Sequence, residues 1–298
     1  MPRVFNRAKR ESIYNVGIMT HRHAMANIQM TSEPTFNAEE LRARFNPEGS
    51  PLRRQQMVML RMVKELDRIC KKHDIPYFLY GGTLLGAFRH NGFIPWDDDL
   101  DVAMLRKDYK RLAKVLLDEL PDDIAFQNND TDKNYFFFIA KLRDKRSYLE
   151  EEEFDTVFKE RGIYIDIFPL DKILPWAQNL RIQSLAYNIF RAGNGSEAAM
   201  RKVRALTWFN RHVSFPLLRG ISKLSGTKAL MCDLGIQFHK IYDLKDVFPL
   251  KTHQFEDIQL PVPDNSHHML QVMFGDYMQL PDDLDNVYHH VERLEFYD

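Results

Sequence analysis

Apolar positions recur at three- and four-residue spacing from Met57 through Leu60, Val63, Leu66 and Ile69-Cys70, with arginine and lysine between them. That period predicts an amphipathic helix from about Pro51 to His73. The rhythm then changes. Tyr77 to Tyr80 is a short apolar run bounded by Pro76 and by Gly81-Gly82, which reads as a strand, and Thr83 to Phe88 can close a short helix after the glycines. The chain turns at Asn91-Gly92, passes Pro95 and enters a second strand. Alternation there puts Asp99 and Asp101 on one face and turns Leu100 and Val102 toward the core. A further helix is predicted from about Lys107 to Leu120, then a strand at Ile124–Gln127 and, after a polar loop, a buried strand from Tyr135 to Arg143. The next strand, beginning at Gly162, carries one carboxylate, Asp166, in an apolar run; Asp171, past Pro169, reads as a loop or cap residue. From Lys172 to Tyr242 the pattern is helical and basic. Extended segments return between Val247 and Val262, followed by a short helix capped by Asp264 and ended by Gly275.

This order of elements predicts an α+β fold: a small mixed sheet with the acids on adjacent strands, helices over one face, and a helical insert to one side. Four segments are expected: a loosely ordered arm (1–50), a core carrying the acids (51–171), a basic helical insert (172–245) and a C-terminal segment packing back on the core (246–298). A chain of 298 residues with 44% hydrophobic content can bury one substantial core. The formal net charge of −1 offers no global field for nucleic acid, which is excluded as a partner. Cys70 and Cys232 stand far apart, giving neither a disulfide framework nor a four-cysteine zinc site, so a reducing compartment is expected. No apolar region follows the basic N-terminal residues, and no apolar run approaches the roughly 20 residues that span a bilayer. The expectation is a soluble, cytoplasmic protein with room for peripheral contact on the inner face of the membrane.

Candidate chemistry gathers between Gly81 and Asp101. Glycines at a helix start leave backbone N–H groups open to approach, which suits a phosphate. Two carboxylates on one strand face beside it suit Mg²⁺, or Mn²⁺ in its place, since such an ion must also hold substrate phosphates. Asp97-Asp98-Asp99 alone would read as a solvated turn. It sits instead inside an apolar frame, Phe93 to Trp96 before it and Leu100 to Leu105 after, which a solvated turn does not need. Asp166 requires a partner, because an unpaired carboxylate in low dielectric is costly. A metal shared with Asp99 and Asp101 is preferred; a salt bridge to Arg89 or Arg143 is the rival. Lys141 and Arg143 share one strand face, where either could neutralise a donor phosphate or simply meet solvent. Arg89 is a candidate for charge stabilisation, set evenly against a structural pair with Asp97 or Asp98. Glu150 to Glu153 read as an exposed loop without chemistry. Between Arg181 and Lys228 nine cations face Glu197 alone, interleaved with aromatic residues. That stretch suits anionic lipid, a polyanionic glycan, or an ordinary solvated face.

The segment Gly-Gly-Thr-Leu-Leu-Gly-Ala-Phe-Arg-His (81–90), joined to Phe-Ile-Pro-Trp-Asp-Asp-Asp-Leu-Asp (93–101), resembles the signature of the LicD proteins. These are phosphotransferases of the nucleotidyltransferase superfamily, related in this segment to fukutin and fukutin-related protein. The likeness continues in Ile-Asp-Ile-Phe-Pro-Leu-Asp (165–171) and in blocks around 255–263 and 275–281; the first fifty residues lie outside it. It implies a nucleotidyltransferase-like core with a third acid on a later strand, at Asp166, and a functional lysine at Lys141. It implies Asp99, Asp101 and Asp166 around one or two Mg²⁺ ions, with Gly81, Gly82 and Thr83 on a donor pyrophosphate. The activity implied is transfer of phosphocholine or a phospho-alditol from a CDP-activated donor to a hydroxyl of a glycan or lipid-linked glycan, as in lipopolysaccharide, capsule or teichoic acid, with release of CMP. The cysteine-rich zinc element of fukutin-related protein is missing, so no zinc is implied. Rival readings are nucleotidyl transfer from an NTP, a glycosyltransferase Asp-x-Asp site that leaves the Gly-Gly-Thr helix start unexplained, and a glycan- or membrane-binding protein with a relict site.

Overall fold

Two helices lead into the motif. α1 (Ala38–Phe45) and α2 (Pro51–Lys72) each open on a polar side chain that accepts first-turn amides: Asn37 from Glu39 and Glu40, and Ser50 from Arg53. Such caps satisfy N–H groups that a helix leaves without internal partners. The computed structural model describes residues 37–151, 157–180, 182–232, 240–281, 284, 291 and 293–297. The expected N-terminal arm thus lies outside the described residues as far as 36. From Ala38 the chain is helical, and Leu41 belongs to the main core.

The motif itself spans β1 (Phe78–Leu79), α3 (Gly81–His90) and β2 (Asp101–Leu105). Next come α4 (Arg106–Glu119), β3 (Ile124–Gln127), β4 (Ala140–Asp144), β5 (Ser147–Glu150) and β6 (Tyr164–Lys172). α5 (Ile182–Ala192), α6 (Glu197–Phe209), a π-helical turn at Asn210–Ser214 and α7 (Phe215–Leu224) form the basic region. It is followed by β7 (Ala229–Cys232), β8 (Tyr242–Asp243), α8 (Leu244–Val247), β9 (Lys251–Phe255), β10 (Ile258–Val262), α9 (Ser266–Phe274) and β11 (Arg293–Phe296). The fold is α+β. The main sheet runs β1-β2-β6-β4-β3, and β7 and β8 extend it from the far end of β6. β2 and β6 pair parallel; the other pairings along this sheet are antiparallel.

Strand alternation divides the sheet cleanly. Val102, Met104, Ile165, Ile167, Ala140 and Leu142 face the core that α2 and α4 close with residues such as Met59, Val63, Leu112 and Leu116. Their sequence neighbours Ala103 and Leu170 point the other way, into a smaller cluster with Phe78, Tyr80, Val247 and Met269. That second face carries the acids. The β9–β10 hairpin locks the motif from the side. Arg53 of α2 pairs with Glu256 at 2.8 Å, and Glu256 in turn accepts the Phe93 N–H at 3.1 Å and donates its own N–H to the Asn91 carbonyl at 2.8 Å.

Three local expectations are corrected. Tyr135 to Ile139 is not strand: β4 begins at Ala140, because Tyr135 and Phe136 insert into a cluster with Phe158, Phe190 and Met200 of the helical region. Asp171 is not a loop residue but lies within β6, buried, and held by Arg106 at 2.9 Å and Arg219 at 3.0 Å. The stretch after Lys172 is not helical throughout, since β7 and β8 return the chain to the sheet.

Candidate active site

Register aligns four side chains across the acid-bearing face. Asp101 stands opposite Asp166, Asp166 opposite Lys141, and Lys141 opposite Gln127. Paired residues on neighbouring strands share a face about 4.8 Å apart, so Asp101 and Asp166 are side by side. Asp99 lies two residues before Asp101, with Leu100 between them fully buried. The Leu100 carbonyl accepts the Asp166 N–H at 2.8 Å, which carries the pairing back toward Asp99.

The loop carrying the acids is held by its backbone. Gln55 and Gln56, buried on α2, donate to the carbonyls of Asp98 at 2.7 Å and Asp97 at 2.9 Å. Thr83 is buried, and its hydroxyl accepts the Asp101 N–H at 2.7 Å. It therefore fixes the entry of β2 against α3.

Glycines bring the helix start and the acids into contact. Gly81 has φ +54°, and a Cβ there would stand 2.6 Å from Asp101 Oδ2; a Cβ on Gly82 would stand 2.9 Å from Asp97 Oδ2. The positive φ of Gly81 favours glycine there, and at both positions a Cβ would push an aspartate carboxylate aside. The positive end of the α3 dipole accordingly faces the carboxylates.

Crowding shows in the electrostatics. Burial first, then Asp98 and Asp166, push the half-buried Asp99 carboxyl up to about 7, with Lys141 opposing. Asp101 is held well above the usual carboxylate range by burial, then by Asp99, Asp166 and Asp97. Asp97 is raised likewise by burial, Asp99 and Asp98, against the pull of Arg89. Asp166 is raised by burial and eased by Lys141 and Arg143. The site holds more negative charge than its cations answer.

Each candidate cation has a defined place. Lys141 Nζ lies 2.8 Å from Asp166 Oδ1 and 3.2 Å from the Tyr164 ring centroid. The buried partner of Asp166 is thus Lys141, where Arg89 or Arg143 had been the salt-bridge alternatives. Arg143 is turned to Gln127 at 2.9 Å and the Gly162 carbonyl at 2.9 Å. Arg89 is buried, donating to the carbonyls of Tyr277 and Gln279 at 3.0 Å each and to His90 Nε2 at 3.0 Å. Burial brings it down to about 10, and it acts on Asp97 through its field. Its bonds tie α3 to the C-terminal turn. Among the described residues, no trio of histidine, cysteine or carboxylate groups already converges on one coordination point.

Two site residues escaped sequence reasoning. Tyr164 shares the Asp166 face and supplies the ring under Lys141 and Arg143. Its position two residues before Asp166 was the available signal. Glu151 accepts the Tyr164 hydroxyl, and its charge raises both Asp99 and Asp166. Nothing in a run of four glutamates marks one of them out.

Residues 74–219 match the family described as "LicD/FKTN/FKRP, nucleotidyltransferase domain". The chain is similar to the lipopolysaccharide cholinephosphotransferase LicD of Haemophilus influenzae, 30% identical over 260 residues that cover 81% of this chain and 96% of that protein. An uncharacterized protein of Rickettsia prowazekii is 36% identical over 63 residues, 21% of this chain and 24% of its own length.

Proposed function

The chain belongs to the LicD family of phosphotransferases, and from that premise we propose that it moves a phospho-substituent, phosphocholine first among them, from a CDP-activated donor to a glycan hydroxyl with release of CMP. The observation that carries this reading is the Asp101–Asp166 register, with Asp99 beside it and Gly81-Gly82 packed against the carboxylates. The choice of phosphocholine follows the name of the Haemophilus influenzae relative.

A divalent cation fits the donor set. Several carboxylates, raised by burial and by one another, share a face with too little positive charge to balance them. Asp99, Asp101 and Asp166 would hold Mg²⁺ or Mn²⁺ through hard oxygen donors. Bound there, the ion would neutralise donor phosphate oxygens and polarise the phosphorus under attack. The remaining tasks fall to the chain itself. First-turn amides of α3, with no side chain on Gly81 or Gly82, can receive phosphate oxygens. One carboxylate of the row could take the acceptor hydroxyl proton. Lys141 stands 2.8 Å from Asp166, where a donor phosphate would lie. Thr83 and the two glutamines hold the geometry by fixing backbone.

Incubating the protein and Mg²⁺ with CDP-choline, CDP-ethanolamine, CDP-ribitol or CDP-glycerol and a glycan acceptor, and measuring CMP, tests this. CMP should form from one donor, and Asp101→Asn should lower its rate on the order of 10³-fold, comparable to loss of a principal transition-state charge contact. Near-normal CMP release by Asp101→Asn would remove the metal reading. Pyrophosphate release from an NTP, with no CMP from any CDP donor, would move the assignment to nucleotidyl transfer.

A further inference from the structure

We propose that the outward face of the α6–α7 rod is a docking surface for an anionic lipid bilayer. α6, the π-helical turn and α7 follow one another without a break from Glu197 to Leu224, about 40 Å at 1.5 Å per residue. The inner seam is anchored. Val203, Asn210, Phe215 and Ser222 are buried, and the Ser222 hydroxyl accepts the Leu174 N–H at 3.1 Å. Arg211 pairs with Asp130 at 2.6 Å, and Arg219 with Asp171 of β6 at 3.0 Å.

The outer side is apolar where a solvated helix would be polar. Phe209, Val213, Leu217, Ile221 and Leu224 follow at helical spacing and are all exposed, Leu217 at 62% and Leu224 at 90%, with Trp208 beside them at 59%. Single exposed apolar residues are ordinary, but a stripe continuous over about four turns marks a binding face. Among the described residues no helix is long and apolar enough to cross a membrane, so contact here is with a surface.

Charge selects the occupant. Between Arg201 and Lys228 there are seven cations and no acid, in a chain whose formal net charge is −1. Arg204, Arg211 and Arg219 are engaged by Glu197, Asp130 and Asp171. Arg201 and Lys202 at one end of the stripe, and Lys223 and Lys228 at the other, are exposed. Cations flanking an apolar strip with an aromatic at its edge are the arrangement that seats a helix in the headgroup layer of an anionic bilayer. A second copy of the same face would oppose like charges, which disfavours self-association as its use. The rod is fastened to Asp171, five residues or about 17 Å along β6 from Asp166. Strand alternation turns Asp171 to the face opposite Asp166, so the rod would bring the sheet, rather than the acidic row itself, to a membrane where a lipid-borne acceptor is found. That last consequence rests on the proposed reaction; the docking does not.

The test is co-sedimentation of the full chain with vesicles of phosphatidylglycerol and phosphatidylethanolamine, and with phosphatidylcholine alone, at roughly 0.1 M salt. The anionic vesicles should bind at least about tenfold more tightly. Leu217→Glu with Leu224→Glu should weaken that binding by at least about tenfold without lowering the melting temperature, since both side chains are exposed. Lys223→Glu with Lys228→Glu should weaken it too and flatten its salt dependence. Absence of binding, equal binding to both vesicles, or full binding by the leucine variant would overturn the proposal. So would self-association without vesicles that the leucine variant abolishes, which would assign the stripe to a second copy. CMP release with a soluble acceptor reads the reaction separately, so failure of docking and failure of the proposed activity remain distinguishable.

Discussion

Replacing Asp99 by Asn should make the metal-free protein more stable while removing its turnover. The carboxyl rises from an ordinary 3.8 to about 7 because burial, and then Asp98 and Asp166, disfavour its charge. A native-state pKa above the unfolded one means that the folded chain binds the extra proton. The favourable contribution is then complete below about pH 4 and is lost as pH climbs through 7. A rise of this size corresponds to about 4 kcal/mol. Water reaching the half-buried carboxylate screens part of that, leaving about 2 kcal/mol of penalty above pH 7. Asn has the same shape and carries no charge, so the variant escapes the penalty. For a chain of this length 2 kcal/mol is about 3 °C in melting temperature. Calorimetry in EDTA should show that gain at pH 8, a smaller one at pH 6, and coincidence with the wild type near pH 4. Added Mg²⁺ should raise the wild-type melting temperature more than that of the variant, and CMP release should be lost. A variant that melts lower than wild type in EDTA at pH 8, or a difference that does not change with pH, would refute the crowding argument.

Two further substitutions probe the neighbours. Lys141→Met leaves Asp166 buried without its cation and should cost about 3 kcal/mol by urea unfolding; Asp166→Asn in the same chain should recover much of it, and failure to do so would place the role of Lys141 elsewhere. Gly81→Ala forces an L side chain onto φ +54° and a Cβ to 2.6 Å from Asp101 Oδ2; it should cost about 1 kcal/mol of stability yet lower kcat/KM far more, because the Asp101 carboxylate must turn away.

What was legible in the sequence is what is local. The period from Met57 to Cys70 gives α2, and the alternation around Leu100 and Val102 gives the face of Asp101, because both patterns are set by neighbours a few residues apart. The partner of Asp166 was not legible. It depends on the β4–β6 register, which joins residues 25 positions apart and sets Lys141 opposite Asp166 while Arg143, two residues on, stands opposite Tyr164. Tyr135 to Ile139 misled for a related reason. Five apolar residues satisfy a strand pattern equally well when Tyr135, Phe136 and Phe137 are instead taken up by Phe158 and Phe190 of other segments and Phe138 by Phe215. Arg89 was legible as a buried cation but not as the tether to carbonyls of Tyr277 and Gln279, since carbonyls leave no trace in sequence.

One feature of topology explains why the acids meet at all. β2 and β6 run parallel, so both strands enter the sheet from the same edge, and the loop holding Asp97 to Asp99 opens beside the start of β6. A one-residue slip would set Asp101 opposite Ile165 or Ile167 and send one of the two carboxylates to the other face. That slip would also turn Val102 and Met104 out of step with Ile165 and Ile167 on the side closed by α2 and α4. The hydrophobic alternation that builds the core therefore also aims the carboxylates, and the penalty for misaligning the site is the penalty for exposing the core. Destabilisation by the acids themselves, of a few kcal/mol, is small against a register held by that many buried apolar contacts. The fold can accordingly maintain a strained, charge-dense row without any compensating change in its sheet.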